Sequence, residues 1–214
     1  KMNYLLFGNW TKRIKNIDCV IIFDTLYRTN ISKYIKKKNP NCKIIFYYWN
    51  VIGEYNHWIL NDSYISEIWT FDKKDSEKYH LQWNPQFYTY QVQPIKKNLK
   101  YDILFLGRDK GRANCIDEMD NSFRRLHLHS KLIVIKKESD FISYKDYLEI
   151  VSESKSLLDI LAPGQTGLTL RTMEALFLEK KLITNNADIK NYSFYNKNNI
   201  FIIGEDSLDK LPTF

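Results

Sequence analysis

At 214 residues and 25.7 kDa, with 44% hydrophobic residues, the chain is long enough to bury a sizeable core, as one large domain or two small ones. It holds no run of about eighteen apolar residues and no signal-peptide pattern, so neither a membrane span nor secretion is indicated; three scattered cysteines, Cys19, Cys42 and Cys115, argue against a disulfide or zinc framework and fit a reducing cytoplasm. The net charge of +7 suits nucleic acid, anionic lipid or a phosphorylated ligand, and charge alone does not choose among them.

Strands and helices alternate from the start. Tyr4 to Phe7 reads as a strand ended by Gly8, and Asp18 to Phe23 as a second, leaving Asp24 and Thr25 at the carboxyl edge where ligand sites form in open α/β sheets. Asn30 or Ser32 suits the cap of a short basic helix through Lys38, stopped by Asn39-Pro40, and Lys43 to Trp49 is rich in β-formers. Glu67 to Phe71 repeats the strand pattern. Asp72, with Asp75 three residues on, has the spacing of a capping box for a helix through Tyr79, and Phe87 to Val92 is another β-rich run.

The pattern lapses into a polar, basic segment between Gln93 and Lys100 that contains Pro94, which predicts two domains, 1–93 and 94–214. The second half restarts with a strand from Tyr101 to Leu106 and then a glycine-containing basic loop, Gly107 to Arg112. Arg108, Lys110 and Arg112 fall within five residues, beside glycines that let a backbone come close, and suit a diphosphate; a solvated basic turn is the alternative. A helix from Ala113 to Leu128, a strand from Leu132 to Ile135 and a helix capped by Ser143 to about Glu153 are expected next.

The stretch with most chemical content follows. Leu157 to Leu161 has the length of a buried parallel strand, and Pro163-Gly164 breaks the chain. Gln165, Thr166 and Gly167 form a small polar loop before a helix that should start near Gly167 or Leu168, with Leu168, Met173, Leu176 and Phe177 on a broad apolar face. A strand from Lys181 to Thr184 completes a βαβ unit, and Ile200 to Ile203 is a last apolar run. The free N–H groups of that helix start make an anion site, with Arg171 about one turn in and Glu174 about two. A phosphate at the loop and a hydroxyl-bearing ring along the helix would meet a cation and a carboxylate in that order. The bland alternative is a well-packed helix with an exposed Glu.

At these residues the sequence resembles the donor half of the GT-B glycosyltransferases, especially bacterial polysaccharide and lipopolysaccharide enzymes. The resemblance implies an α/β protein of two Rossmann-like domains, with an acceptor-side domain first and a nucleotide-sugar domain second. It implies that Gly167, Leu168 and Thr169 contact the nucleotide diphosphate beside Gln165, Thr166 and Arg171, that Glu174-Ala175 holds the ribose hydroxyls, and that Arg108, Lys110 and Arg112 reach the diphosphate. The expected reaction moves a sugar from a UDP or GDP donor to a surface-glycan or lipid-linked acceptor, with the nucleotide sugar as substrate and no further cofactor. The resemblance is specific from about Tyr101 to Asn186. The first half has too few strands for a full acceptor domain and the C-terminal helix usual in this fold is missing, so a fragment or an unusually small member is expected.

Other chemistries find less support. The basic loop is not a Walker A, neither loop is a GxGxxG fingerprint, and His57, His80, His127 and His129 form no metal motif. No Asp-x-Asp stands beside an apolar strand, which argues against the metal-dependent type of transferase and for leaving-group stabilisation by protein cations. The aromatic residues, 15% of the chain, include Tyr47, Tyr48, Trp49, Trp58, Trp69, Trp83, Phe87, Tyr88 and Tyr90 in the first half, mostly core, with one or two able to stack on an acceptor sugar or lipid or to sit at a membrane surface. Signatures of nucleic-acid modules are missing, so no nucleic acid is expected as partner. A nucleotide-sugar epimerase and a non-catalytic nucleotide or nucleic-acid binding module are the rival readings. For an inverting transfer, Asp24 is the candidate base on the acceptor side, the alternative being a loop Asp bonded to its own backbone. Cytoplasmic location, with peripheral association at the inner face of the plasma membrane, completes the expectation.

Overall fold

A computed structural model describes residues 8–24, 30–88, 92 and 97–214. The expected strand Tyr4 to Phe7, Thr25 and the Gln93-Pro94 junction lie outside the described residues, as do Thr89 to Gln91 of the run Phe87 to Val92, whose Phe87 and Tyr88 are not in a strand. The chain divides into two compact units, Lys1–Pro85 and Gln86–Phe214. All five tryptophans fall in the first.

The first unit is a parallel sheet in the order β1-β2-β3-β4, formed by Cys19–Phe23, Lys43–Tyr48, Glu67–Thr70 and Gln82–Trp83. Alternation along β2 buries Ile44, Phe46 and Tyr48 on one face, where they meet Ile31, Tyr34 and Ile35 of α1 (Ile31–Lys38) and Ile14 of a 3-10 helix, Asn9–Asn16. The other face of β2 carries Tyr47, edge-on to Phe23 and Trp49. Burial pushes the Tyr47 phenol up to about 12. Asn39 ends α1 by turning its amide onto the carbonyls of Ile14 and Ile17, at 3.1 and 3.0 Å.

Capping differs from the expectation at two helices. Asn30 holds the N-cap position of α1 without a side-chain bond, in a left-handed conformation, and Ser32 donates to Asp62. At α2 (Lys73–Tyr79) the Asp72 carboxylate accepts from the amides of Lys74 and Asp75, as expected of a cap. Asp75 does not reach back to complete a box. It accepts instead from the Ile52 amide at 2.7 Å, tying the helix to the chain after β2.

The second unit is a three-layer α/β/α arrangement on a five-stranded parallel sheet, compatible with a Rossmann-like fold. Its strands are β5 (Tyr101–Arg108), β6 (Ser130–Ile135), β7 (Ser154–Asp159), β8 (Lys181–Thr184) and β9 (Ile200–Ile202), in the order β6-β5-β7-β8-β9. Leu104, Leu157, Leu182 and Ile200 face one layer with α4 (Tyr144–Ser152) and α5 (Leu170–Phe177). Ile103, Phe105, Leu158, Ile183 and Phe201 face the other, against Ile116, Met119 and Phe123 of α3 (Ala113–Arg125) and the C-terminal 3-10 helix, Leu208–Thr213. The period-2 alternation of both strand sets is what lets one sheet bury two faces.

Several element starts move relative to the sequence reading, β6 beginning at Ser130 and not Leu132 among them, and two of the shifts have a visible reason. β7 begins at Ser154, not Leu157, because Ser154 and Ser156 satisfy their hydroxyls on the Ile150 and Asp102 carbonyls and so enter the sheet buried. α5 begins at Leu170, not Gly167 or Leu168. Its N-cap, Thr169, accepts from the Thr172 amide while its own hydroxyl donates to Asp159 at 2.8 Å, which fixes the turn there. The apolar side of α5 is Met173, Ala175 and, as expected, Leu176, with Leu178 buried just past its end, Leu168 buried ahead of the helix and Phe177 exposed.

Candidate functional site

The sheet order of the second unit puts a topological switch point between β5 and β7. These strands are neighbours, yet the chain leaves β5 through α3 towards β6 on one side and returns to β7 on the other. A crevice outside the carboxyl ends of such strands is where open α/β sheets bind ligands. The loop after β5 is residues 109–112 and that after β7 is residues 160–168, so both sequence-singled loops arise at the switch point.

In the first loop Lys110 and Gly111 both take positive φ, 47° and 79°, a tight turn that Gly111 enters without steric cost. The turn lets Asp109 accept from the amides of Arg112 and Ala113 at 3.1 and 2.9 Å, so the start of α3 is capped by the protein's own carboxylate. Arg108 and Lys110 are exposed, with the Arg108 guanidinium 4.8 Å from the Phe141 ring centre. Arg112 folds inward. Its Nε donates to the Arg108 carbonyl at 3.2 Å and one Nη to the Ile160 carbonyl, joining the two loops.

Arg171, in the first turn of α5, converges on the same place by donating to the Leu106 carbonyl. Both guanidiniums lie against the ring of Phe105, 5.1 Å from it for Arg112 and 4.9 Å for Arg171. Gly107 makes room for them: a Cβ there would sit 2.9 Å from an Arg112 Nη and 3.3 Å from Phe105. Burial, then the neighbouring Arg171, lowers Arg112 below its ordinary value. Burial works against Arg171 too, but Tyr147, Asp159 and Glu174 around it raise it above its ordinary value.

Two buried carboxylates answer this positive charge. Asp159, the last residue of β7, is 1% exposed; its Oδ2 accepts from Thr169 and Thr172, and its Oδ1 has no hydrogen-bond partner among the described residues. Glu174 is 4% exposed and accepts from the hydroxyl of Tyr147 at 2.6 Å and of Tyr144 at 3.2 Å. Burial raises both carboxyls, against the pull of Arg171 and of those hydroxyls. Burial likewise pushes both tyrosine hydroxyls well above their ordinary value, which keeps them protonated as donors. Tyr144 also meets the hydroxyl of Tyr88; since each phenol has one proton, Tyr88 donates to Tyr144 and Tyr144 to Glu174.

Between these groups runs the 165–169 loop. The Gln165 side chain donates to the Gly167 carbonyl at 3.5 Å, Thr166 is half-buried, Gly167 and Leu168 are buried, and Thr169 caps the helix. Leu168 belongs to the core, so a ligand would meet only its backbone. Arg112, Arg171, Thr169 and Glu174 are therefore drawn into one cluster, while Arg108 and Lys110 stand at its exposed side. Asp24 belongs to the first unit. It directly follows β1, and its Oδ2 accepts from the backbone and side-chain amides of Asn50 at 3.1 and 3.0 Å, while its Oδ1 is buried without a partner among the described residues.

Sequence reasoning missed Asp159, Thr172, Tyr88, Tyr144 and Tyr147. An aspartate inside an otherwise apolar strand was the available signal for the first. The three-residue spacing of Tyr144 and Tyr147, which brings both rings to one side of α4, was the signal for the pair. Among the described residues no group of three or more His, Cys, Asp or Glu could hold a metal ion, and no helix is long and apolar enough to cross a membrane. No protein-family model matches the chain, and no curated protein matches it.

Proposed function

We propose that the second unit binds a nucleoside diphosphate sugar and that the chain is a GT-B-type glycosyltransferase acting on a cell-surface polysaccharide or lipid-linked glycan. The observation that carries the reading is the pairing of the Arg112 and Arg171 guanidiniums over Phe105 at the β5/β7 switch point, one helical turn from the buried Glu174. Guanidiniums suit the diphosphate leaving group, whose charge grows as the bond from the anomeric carbon to its oxygen breaks. Glu174 suits the ribose hydroxyls as an acceptor. Asp24 is the proposed base, taking the proton of the acceptor hydroxyl as that oxygen bonds the anomeric carbon.

A non-catalytic nucleotide-binding module is the second reading, favoured by the use of both guanidiniums on backbone carbonyls. Thermal shift with UDP, GDP, CMP and a single-stranded oligonucleotide tests the shared part of both readings, since a ligand at a hundred times its Kd adds about 2.7 kcal/mol to apparent stability. UDP or GDP should raise the midpoint. A response to the oligonucleotide alone overturns nucleotide-sugar binding. Transfer is tested with a saturating donor and an acceptor panel, where Asp24→Asn should cost about a hundredfold in rate; a loss under about threefold dismisses Asp24 as the base.

A further inference from the structure

The two tyrosines on Glu174 are not equivalent. Tyr147 is 6% exposed and bonds Oε2 at 2.6 Å from the fourth position of α4, held in the same core as Val151, Leu157 and Met173. Tyr144 is 43% exposed, opens α4, and bonds Oε1 at the longer distance of 3.2 Å. Its hydroxyl has a second partner in Tyr88, whose ring lies 5.3 Å from that of Phe177 on α5. One donor on the carboxylate is thus fixed and buried. The other sits at the surface and already accepts from a second hydroxyl, that of Tyr88.

We infer that Tyr144 occupies, on Glu174 Oε1, the place a ribose hydroxyl takes, and that nucleotide binding exchanges one hydroxyl donor for the other, whereas Tyr147 is a positioning residue that stays on Oε2 and aims the carboxylate. The inference rests on the reading of Glu174 as the ribose acceptor. A carboxylate this buried needs a donor on each oxygen at all times, because an unpaired buried charge is costly. A hydroxyl that is easily displaced meets that need without closing the site. The exchange leaves the number of hydrogen bonds on Glu174 unchanged, so Tyr144 sets how tightly a nucleotide is held and Tyr147 sets whether Glu174 points at it. Arg171 and Asp159, the other charged groups around Glu174, contribute to its field and are not part of the swap.

The two tyrosines should respond with opposite signs when UDP and GDP binding is measured by calorimetry on the full chain. In Tyr144→Phe no donor has to be displaced, and affinity should rise about threefold to tenfold. In Tyr147→Phe it should fall about tenfold, equally for uridine and UDP and not at all for pyrophosphate, a split that loss of structure alone would not give. With 2′,3′-dideoxy-UDP, which brings no ribose hydroxyl, Tyr144→Phe should bind as the parent does. Circular dichroism of each variant checks that it folds, and Tyr144→Leu serves if Tyr144→Phe does not. Unchanged or weaker UDP binding in Tyr144→Phe overturns the exchange while leaving nucleotide binding intact. A gain that persists with the dideoxy ligand overturns it as well. A parent that binds neither UDP nor GDP overturns both this inference and the function proposed above.

Discussion

Glu174 is held between opposing effects, and its titration tells which dominates. Burial raises its folded value above the ordinary 4.5, ahead of the opposing pull of Arg171 and the tyrosine hydroxyls. A raised carboxyl contributes stability that is fully present below the unfolded value and lost as pH rises through the folded one. The parent should therefore gain from this group as pH falls from 7 towards 4.5, a gain that Glu174→Gln lacks. Urea unfolding of the two proteins across that window should show the variant comparing best with the parent near neutrality and progressively worse in acid; a difference that is flat or runs the other way removes burial as the dominant effect. Gly107 offers a purely steric test. A methyl 2.9 Å from the Arg112 Nη and 3.3 Å from Phe105 must move one of them, so Gly107→Ala should lose about 1 to 3 kcal/mol and weaken diphosphate binding more than nucleoside binding. Equal losses for both ligands would detach the arginine pair from the phosphates.

Lys180 shows how one side chain can set the edge of an element. From just beyond α5 its ammonium donates to the carbonyls of Ser152 and Ser154, 3.2 and 2.7 Å away, closing the end of α4 onto the start of β7. Replacing it with Met keeps the stem and removes the charge-assisted bonds, at an expected cost of about 1.5 to 3 kcal/mol by denaturant unfolding; a change under about 0.5 kcal/mol would show that water serves those carbonyls as well. Such long-range bonds also explain where the sequence was silent. The strand Lys181–Thr184 and the cap at Ser143 were legible because an apolar run and a local cap residue carry their own signal. The start of β7 was not, because Ser154 and Ser156 read as polar until Ile150 and Asp102 supply their partners. At the site the same division holds. Arg112, Thr169, Arg171 and Glu174 stood out by residue type near glycine loops, whereas Asp159 and the tyrosines matter through contacts made 10 to 56 residues away in sequence. The inward turn of Arg112 depends on the carbonyl of Ile160, 48 residues on, which no local pattern encodes.

Each unit closes its own core: one sheet face against α1 in the first, two sheet faces in the second. Chains built this way often depart from a single two-state transition. Stability changes made in one unit should then appear in that unit's transition. Asp72→Ala, which removes the α2 cap, should cost about 1 kcal/mol in the first unit, and Lys180→Met should leave that transition where it is. The placement of every tryptophan in the first unit turns this into a spectroscopic division of labour. Indole emission reports that unit by itself, and the second contributes tyrosine, notably the Tyr88, Tyr144 and Tyr147 group around Glu174. Nucleotide titrated into the unmodified protein should perturb the tyrosine absorbance band. Any accompanying change in indole emission would be an optical signal from the first unit, separable from the tyrosine band and obtained with no label attached.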